Sequence, residues 1–514
     1  MHSYPFSLGA SQRLHSIRIP AKAAMQVLAT LLVFSLCLFP NLATAASPHI
    51  YDAPQAGPPG SQTSTVGNGW DPNATLDIYF DSTDVGLVDT DNNGSFGLAL
   101  KAPTVRQNGL TIQIPKDAVP GQHWITAVER ITQVQAQVAF TVGADWPQYQ
   151  FGPDRTGFNP YENVLSPQTV GNLTTRWTTG GGTTPVVADG VLYEADHGSF
   201  SALNAKTGEL LWSDPLSLDF LGIAPAVANG IVYFSCEDYY LYALNATTGD
   251  ILWRYPEVLS TSPTVVNGVV YVATPGNNVD ALDARTGALL WTKPGVGSWG
   301  GPAVANGVVY VGSGDSYLYA LDAGTGATLW KSPGNPDYGI DSPLVANGKV
   351  YARSGSGELY AFNANTGAFL WKYSTGYGQN GNSSAVANGV VYVGGADYNV
   401  YALDAGTGAL LWKYTTVGPV TTPTVANGVV YVGTVYQDHS VYALNASTGE
   451  FLWQYMTPDW VFSPPVVVNG MVYVASDVLY AFSLPDQQMA EKFSPPERPD
   501  PARLTPNWNS PLKK

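Results

Sequence analysis

Apolar residues alternate with polar or small ones in a pattern that returns about every 40 residues between residues 180 and 484. Each repeat opens with a short apolar run, passes an Asn-Gly or Asp-Gly pair, continues through a run such as Val-Val-Tyr-Val, and in seven of eight copies ends on Trp. Asn-Gly favours a two-residue hairpin turn because both residues tolerate positive φ. The pattern therefore predicts four short antiparallel strands in each repeat.

Seven complete repeats each end on a tryptophan four residues after the Gly of a Thr-Gly pair, namely Trp212, Trp253, Trp291, Trp330, Trp371, Trp412 and Trp453. The eighth repeat is divided, because residues 465–484 lack the Thr-Gly-Trp end and residues 173–177 supply a separate Trp-ending strand. Joining the two parts would close a ring and leave no free sheet edge between its ends. We predict an all-β chain with an eight-bladed β-propeller over residues 144–484.

The end of each repeat resembles the tryptophan-docking motif of the pyrroloquinoline quinone (PQQ) repeat propellers, with ALNAKTGELLW at 202–212 and ALDAGTGALLW at 402–412. The segment around Trp146 and Arg155 resembles the entry segment of the same family. The family contains quinoprotein dehydrogenases and non-enzymatic assembly lipoproteins of bacterial outer membranes, and the chain is closest in type to the latter. The resemblance implies that the tryptophans hold neighbouring blades together, and it says little about activity.

Three other segments flank the repeats. Residues 1–45 have the basic, apolar and small-residue sections of a signal peptide, with cleavage expected after Ala45. Residues 46–143 contain short alternating runs at sandwich-like spacing, such as residues 75–80 and 123–128, and predict an immunoglobulin-like β-sandwich. Residues 485–514 are proline-rich and predict a disordered tail.

Composition narrows the classes of partner. The chain has 23 Lys and Arg against 39 Asp and Glu, a net charge of −16, which argues against nucleic acid or an anionic membrane surface. Removal of residues 1–45 would leave no membrane span and a single cysteine, Cys236, so no internal disulfide could form. These features indicate a secreted or periplasmic protein.

The residues expected of an enzyme are missing from the sequence. A quinoprotein dehydrogenase of the family typically has a vicinal cysteine pair and long insertions between blades, and this chain has neither. Asp283, Asp322 and Asp404 sit in the docking-motif turn, where a carboxylate accepts backbone hydrogen bonds. The loop that starts at Asp89 resembles a calcium loop but has Leu100 at the twelfth position, so a hairpin between Val88 and Phe96 is the simpler interpretation. We predict no catalytic residue, no metal and no cofactor.

Sequence variation is concentrated in the loops that run from each tryptophan to the next repeat. Exposed aromatic residues among Gly and Asn suit recognition of a partner, and the candidate binding residues are Phe220, Trp299, Tyr338, Tyr377, Trp460 and Phe462. The leading hypothesis is an exported, non-enzymatic scaffold that binds a protein or glycan at the cell surface. The alternatives are a PQQ-dependent dehydrogenase of alcohols or sugars, with PQQ and calcium, and a polysaccharide hydrolase or lyase.

Overall fold

The structure is a computed structural model, and it describes residues 47–97, 110–180, 183–196, 198–214, 223–236, 238–256, 258, 261–297, 300–332, 339–376, 383–492, 500 and 504. In these residues the regular structure is almost entirely β-strand. The exceptions are one 3-10 helix, Val170–Asn172, and one α-helix, α1 (Asp486–Lys492). The all-β prediction is therefore confirmed.

The N-terminal block contains two sheets that share one core. Its strands are β1 (His49–Ala53), β2 (Ala56–Gly57), β3 (Gln62–Asn68), β4 (Thr75–Phe80), β5 (Thr83–Asp89), β6 (Leu110–Gln113), β7 (Gly121–Glu129) and β8 (Gln135–Val142). They are ordered β1-β3-β6 in one sheet and β2-β8-β7-β4-β5 in the other. Ile50 and Ile112 of the first sheet pack in one buried cluster with Ile78 and Ile125 of the second, so alternate residues of each strand face the other sheet.

The repeat region follows two short strands, β9 (Phe158–Asn159) and β10 (Thr174–Thr179). Its strands are β11 (Val186–Ala188), β12 (Val191–Asp196), β13 (Ser199–Asn204), β14 (Leu210–Asp214), β15 (Ala226–Ala228), β16 (Ile231–Ser235), β17 (Tyr240–Asn245), β18 (Ile251–Pro256), β19 (Thr264–Val266), β20 (Val269–Thr274), β21 (Asn278–Asp283), β22 (Leu289–Lys293), β23 (Ala303–Ala305), β24 (Val308–Gly312), β25 (Leu318–Asp322), β26 (Thr328–Lys331), β27 (Ile340–Ala346), β28 (Lys349–Ser354), β29 (Glu358–Asn363), β30 (Phe369–Ser374), β31 (Ser384–Ala387), β32 (Val390–Gly394), β33 (Asn399–Asp404), β34 (Leu410–Thr415), β35 (Thr424–Ala426), β36 (Val429–Gly433), β37 (Ser440–Asn445), β38 (Phe451–Met456), β39 (Val466–Val468), β40 (Met471–Ala475) and β41 (Leu479–Ser483).

These strands form eight antiparallel sheets within the described residues, which we number one to eight from β11 onward. Sheets one to seven each take four consecutive strands, and β9 adds to sheet seven as a parallel fifth strand beside β35. Sheet eight has the order β10-β41-β40-β39, with Thr174 opposite Ser483. A strand from before the first sheet therefore completes the last one.

The turns and burial explain why each repeat folds this way. Asn306 and Gly307, between β23 and β24, have φ values of 51° and 76°, as a type I′ hairpin turn requires. The middle strands are almost fully buried, whereas the fourth strand of each repeat is largely exposed, as at β14. The fourth strand is exposed because it is the outer edge strand of its sheet.

The first residues of the predicted disordered tail are instead helical, so that prediction was wrong for α1. Met489 on α1 packs against the apolar cluster of sheets seven and eight, and Asp486 pairs with Arg176 of β10. An acidic residue in the first turn also favours a helix. Leu504 is buried against Tyr79 and Val128, and the rest of the tail beyond Lys492, except Asp500, lies outside the described residues.

Candidate functional site

Neighbouring sheets are joined by hydrogen bonds from the repeated tryptophans. The Trp330 indole N–H donates to the carbonyl oxygen of Ala364 in the next sheet at 2.9 Å. The same bond recurs at Trp212, Trp253, Trp291, Trp371 and Trp412, with distances from 2.9 to 3.3 Å. Gly367 lies against the indole of Trp330, where an added Cβ would be 2.5 Å from a ring carbon. The second Ala and the Gly of the motif thus both contact the tryptophan of the preceding sheet.

The interface between sheets seven and eight is built differently, because sheet eight has Leu484 where the other sheets have the alanine. Tyr431 of sheet seven has a buried hydroxyl without a hydrogen-bond partner, whereas its counterpart Tyr392 donates to Ala446 at 3.0 Å. Residues 162–173 pack here instead. The buried Glu162 carboxylate accepts the backbone N–H of Gly470 at 3.0 Å and two further N–H groups of its own segment.

The segment from residue 144 to residue 159 follows the inner strands of all eight sheets in order. In seven sheets the central residue of the inner strand donates its backbone N–H to this segment, and in the eighth Val467 accepts from Asn159 at 2.9 Å. The seven donors are Val187, Val227, Val265, Val304, Val345, Val386 and Val425. The segment therefore contacts the inner strand of each of the eight described sheets.

The side chain of Arg155, in this segment, is almost fully buried. Its guanidinium donates to the carbonyl oxygens of Gly300, Gly301 and Ser262, and to the Thr264 hydroxyl at 3.1 Å. It also lies 5.3 Å from the ring centre of Tyr149. Burial lowers the pKa of Arg155 to about 10, so the side chain remains charged at neutral pH. A buried, hydrogen-bonded cation thus lies between the segments that begin sheets three and four.

PQQ is the cofactor that the resemblance to dehydrogenases would imply. A flat quinone at the level of Arg155 would have to displace that side chain and its four acceptors. The packing there is close, because a Cβ added to Gly301 would lie 2.8 Å from an Arg155 nitrogen. The residues present do not fit the quinone at this level.

The acidic side chains have structural roles in turns. Asp404 accepts hydrogen bonds from the Thr407 N–H and hydroxyl, which lower the pKa of Asp404. Asp91 accepts the backbone N–H groups of Asn93 and Ser95 at 2.8 and 3.0 Å.

The hairpin prediction for this loop was wrong about the partner of Phe96. Phe96 pairs with Gly67 of the other sheet and not with Val88. The described part of the chain contains no group of three His, Cys, Asp or Glu that could hold a metal.

Two of the six candidate binding residues, Trp460 and Phe462, lie in the described chain. Phe220, Trp299, Tyr338 and Tyr377 lie outside the described residues. The Trp460 ring is 5.2 Å from that of Phe462, which is 60% exposed, and 4.9 Å from that of Tyr436, which is 51% exposed. His439 contacts Trp460 from the same hairpin. We call Tyr436, His439, Trp460 and Phe462 the Trp460 patch.

Hydrogen bonds hold the Trp460 patch in place from two sides. The Val461 N–H donates to the Thr434 carbonyl at 3.1 Å. The Thr457 hydroxyl lies within hydrogen-bond distance of the carbonyl oxygens of His439 (2.6 Å) and Asp459 (2.7 Å) and donates its one hydrogen between them. Tyr436 and His439 have positive φ values of 67° and 48°, which are uncommon for such large residues. The loop and the hairpin before β37 therefore present one preformed surface.

Sequence analysis did not identify Tyr436 of the Trp460 patch or the buried Arg155 as functional residues. Tyr436 belongs to a recurring type of position. Tyr239 and Tyr398, in equivalent hairpins, are also exposed and also have positive φ. In sequence, each lies within two residues of an Asp between the second and third strands of its repeat. Arg155 lies in a non-repeated segment, so no periodicity marks its position.

Comparison with known proteins places the fold. The structure resembles BamB from Moraxella catarrhalis (21% identity, TM-score 0.53, covering 60% of this chain and 99% of that one). It also resembles the quinohemoprotein alcohol dehydrogenase ADHIIG from Pseudomonas putida HK5 (19% identity, TM-score 0.56, covering 69% of this chain and 82% of that one). A third similar structure is a europium-containing methanol dehydrogenase (17% identity, TM-score 0.58, covering 66% of this chain and 98% of that one). At these identities the similarity shows the fold alone, and it confirms a β-propeller.

No curated protein sequence matches the chain significantly. Among the described residues, none of the helices has the length and apolar character needed to span a membrane. The family model described as outer membrane protein assembly factor BamB matches residues 163–295, 278–419, 378–459 and 421–490. Together these matches extend over more than half of the chain, and they confirm the predicted resemblance. The chain belongs to the BamB-like family of PQQ-repeat β-propellers.

Proposed function

We propose that the chain is an exported, non-enzymatic scaffold that binds another protein. In this proposal the eight sheets are the blades of one propeller, and residues 46–143 form an immunoglobulin-like module before it. Membership of the BamB-like family supports the scaffold role, because the family is described as an outer membrane protein assembly factor. The observation that carries the proposal is the exposed Trp460 patch, since preorganised aromatic side chains are typical anchors of protein interfaces.

The arrangement of the two faces supports this choice of site. The Asn469 side chain, in an Asn-Gly turn, exchanges two 2.8 Å hydrogen bonds with Ala144, and the Asn163 side chain donates to Ala118 of the N-terminal block at 2.8 Å. Trp460 and Phe462 precede β39, whereas Asn469 follows it. Ala144, which directly follows the N-terminal block, is therefore bonded at the end of sheet eight opposite to the Trp460 patch, and the block itself contacts Asn163.

A PQQ-dependent dehydrogenase is the alternative function, because two of the similar structures are a quinohemoprotein alcohol dehydrogenase and a europium-containing methanol dehydrogenase. The position of Arg155 counts against it. Dye-linked oxidation of alcohols and sugars should stay at background after incubation of the protein with PQQ and calcium. Saturable turnover that chelation abolishes would replace the scaffold proposal with the dehydrogenase.

The scaffold proposal is tested by site-specific crosslinking in the producing cells. A photoreactive phenylalanine analogue at Phe462 should give one discrete protein adduct, identified by mass spectrometry. The matched control places the analogue at Asn306, in an Asn-Gly turn at the other end of the strands. Adducts of equal yield at both positions, or at Asn306 alone, would show that the patch is not the binding surface.

Export follows from the signal-like residues 1–45, which lie outside the described residues. We propose cleavage after Ala45 and a periplasmic or secreted location. Mass spectrometry of the mature protein should find Ala46 at the N-terminus. A mature protein that retains Met1 would contradict the proposed cleavage.

A further inference from the structure

Several sheets supply a cation of their own to the tyrosines of this face. In sheet four, the Lys331 ammonium lies 3.4 Å from the ring centre of Tyr317 and 3.3 Å from an oxygen of Asp315. In sheet two, the Arg254 guanidinium lies 4.9 Å from the ring centre of Tyr240. Lys331 and Arg254 both come directly after the tryptophan of their repeat. An aromatic ring and a carboxylate attract the same cation by its charge.

Sheet five has the same arrangement. Lys372, which follows Trp371, bonds both carboxylate oxygens of Glu358, at 3.0 and 3.1 Å. Its ammonium lies 5.9 Å from the ring centre of Tyr360. In three of the described sheets, the basic residue after the tryptophan therefore lies against a tyrosine ring of its own sheet.

Sheet seven lacks this cation. The residue after Trp453 is Gln454, whose amide nitrogen donates to Ser440 at 3.0 Å and to the Tyr442 hydroxyl at 3.1 Å. Residues 414–490, which include the whole Trp460 patch, contain five acidic residues and no Lys or Arg. Four of the five are exposed. Two of these, Asp459 and Asp477, lie close together, because the hydroxyl of Ser476, which precedes Asp477, donates to the Asp459 carbonyl. The patch thus combines exposed aromatic rings with uncompensated negative charge.

We propose that the Trp460 patch binds an arginine- or lysine-bearing segment of a partner protein. The partner cation supplies the positive charge that sheet seven lacks, and it lies against the exposed rings of the patch with the Asp459 and Asp477 carboxylates nearby. This inference rests on the proposed scaffold function and adds the chemistry of the bound segment. Charge complementarity selects a basic peptide over an acidic or neutral one.

The test measures binding of short fluorescein-labelled peptides to the full chain by fluorescence anisotropy. The probes are a peptide of alternating Gly and Arg and the same peptide with neutral citrulline. At an ionic strength of about 0.1 M, long-range attraction to the net charge is largely screened. The Arg peptide should bind at least about fivefold more tightly than the citrulline peptide, and Trp460→Ala should remove most of that difference.

Three further variants separate local recognition from general attraction. Gln454→Lys gives sheet seven its own cation, as sheets four and five have, and should weaken binding of the Arg peptide by about threefold or more. Gln454→Met is the uncharged control and should leave the affinity unchanged. Tyr239→Ala removes an equally exposed tyrosine from sheet two, where Arg254 is present, and should also have no effect.

The outcomes distinguish this inference from the function on which it rests. If the citrulline peptide binds as tightly as the Arg peptide, the cation is not recognised and the inference is wrong, even where crosslinking at Phe462 succeeds. If the Arg peptide is favoured but neither Trp460→Ala nor Gln454→Lys changes its affinity, the net charge is responsible and the inference is again wrong. Absence of a Phe462 adduct in cells contradicts the scaffold proposal instead.

Discussion

Tyr392 and Trp412 of sheet six donate to one and the same acceptor, the carbonyl oxygen of Ala446 in sheet seven, at 3.0 and 2.9 Å. A carbonyl oxygen has two lone pairs, so both donors are satisfied. The arrangement recurs at Tyr193 with Trp212, both donating to Ala246. Each such interface is fixed by two aromatic donors on one side and one backbone atom on the other.

Replacement of a repeated tryptophan should destabilise the folded repeats. We expect Trp330→Ala to lower the free energy of unfolding by about 3 kcal/mol, the low end of the range for buried aromatics because Trp330 is only half-buried. Trp330→Phe keeps an aromatic ring but loses the hydrogen bond to Ala364. Its free energy of unfolding should lie between those of the wild type and Trp330→Ala. Chemical denaturation with fluorescence detection measures all three proteins. Unchanged stability of Trp330→Ala would refute the role of this contact.

The glycine of the motif provides a matched pair of variants. Gly326 and Gly307 both have φ near +70°, so alanine pays the same left-handed backbone penalty of about 1 kcal/mol at each. Only at Gly326 would the new Cβ meet an indole, at 2.6 Å from Trp291. Gly326→Ala should therefore cost about 1–3 kcal/mol more than Gly307→Ala. Equal losses in thermal unfolding would show that the indole contact adds nothing.

The exceptional interface of sheet seven predicts opposite outcomes for two identical substitutions. Tyr392→Phe deletes a hydrogen bond and should cost about 1 kcal/mol. Tyr431→Phe deletes a buried hydroxyl that has no partner, so the free energy of unfolding should stay the same or rise. Urea titrations of both variants provide the comparison. A larger loss for Tyr431→Phe than for Tyr392→Phe would contradict the structure at this interface.

Glu162 should make stability depend on pH. Burial raises the pKa of its carboxyl above the ordinary 4.5, although backbone hydrogen bonds lower it in part. The folded protein then holds this proton more tightly than the unfolded chain, so its contribution to stability falls as pH rises from 4.5 through the raised pKa. Glutamine does not titrate. The free energy of unfolding of the wild type, minus that of Glu162→Gln, should therefore decrease as pH rises over that window.

Glu358 is the control of opposite sign. Hydrogen bonds from Tyr360 and Lys372 lower the pKa of Glu358, so its contribution is present above pH 4.5 and is lost as pH falls through the lowered pKa. Glu358→Gln should therefore show the reverse trend from Glu162→Gln. Identical trends in urea titrations over about pH 3 to 8 would show that neither carboxyl is responsible.

The repeated part of the fold could be predicted from the sequence because each of its elements has a local signal. Asn-Gly at residues 306–307 marks a turn, and Trp330 marks the end of a fourth strand. The path of residues 144–159 could not be predicted. Its contacts use mostly backbone N–H and C=O groups, as between Pro153 and Val304, and these are available in any sequence. Helix α1 was missed because seven residues carry too short a pattern.

The candidate site was predictable only in part. Trp460 and Phe462 were identified because their loop departs from the repeat. Tyr436 comes from a different hairpin, and its proximity to Trp460 depends on the tertiary bond from Val461 to Thr434. The missing cation at Gln454 became meaningful only once the structure placed Lys331 and Lys372 beside their tyrosines.

The pairing of β10 with β41 also has a kinetic consequence. Thr174 and Ser483 are 309 positions apart, so β10 leaves the ribosome long before the strand that it completes. A contact of such long range closes late and slows folding, and until then β10 and the inner strands remain open to other chains. Keeping the chain unfolded until its C-terminal residues are made would shorten that exposed interval, and transport across a membrane before folding would have this effect.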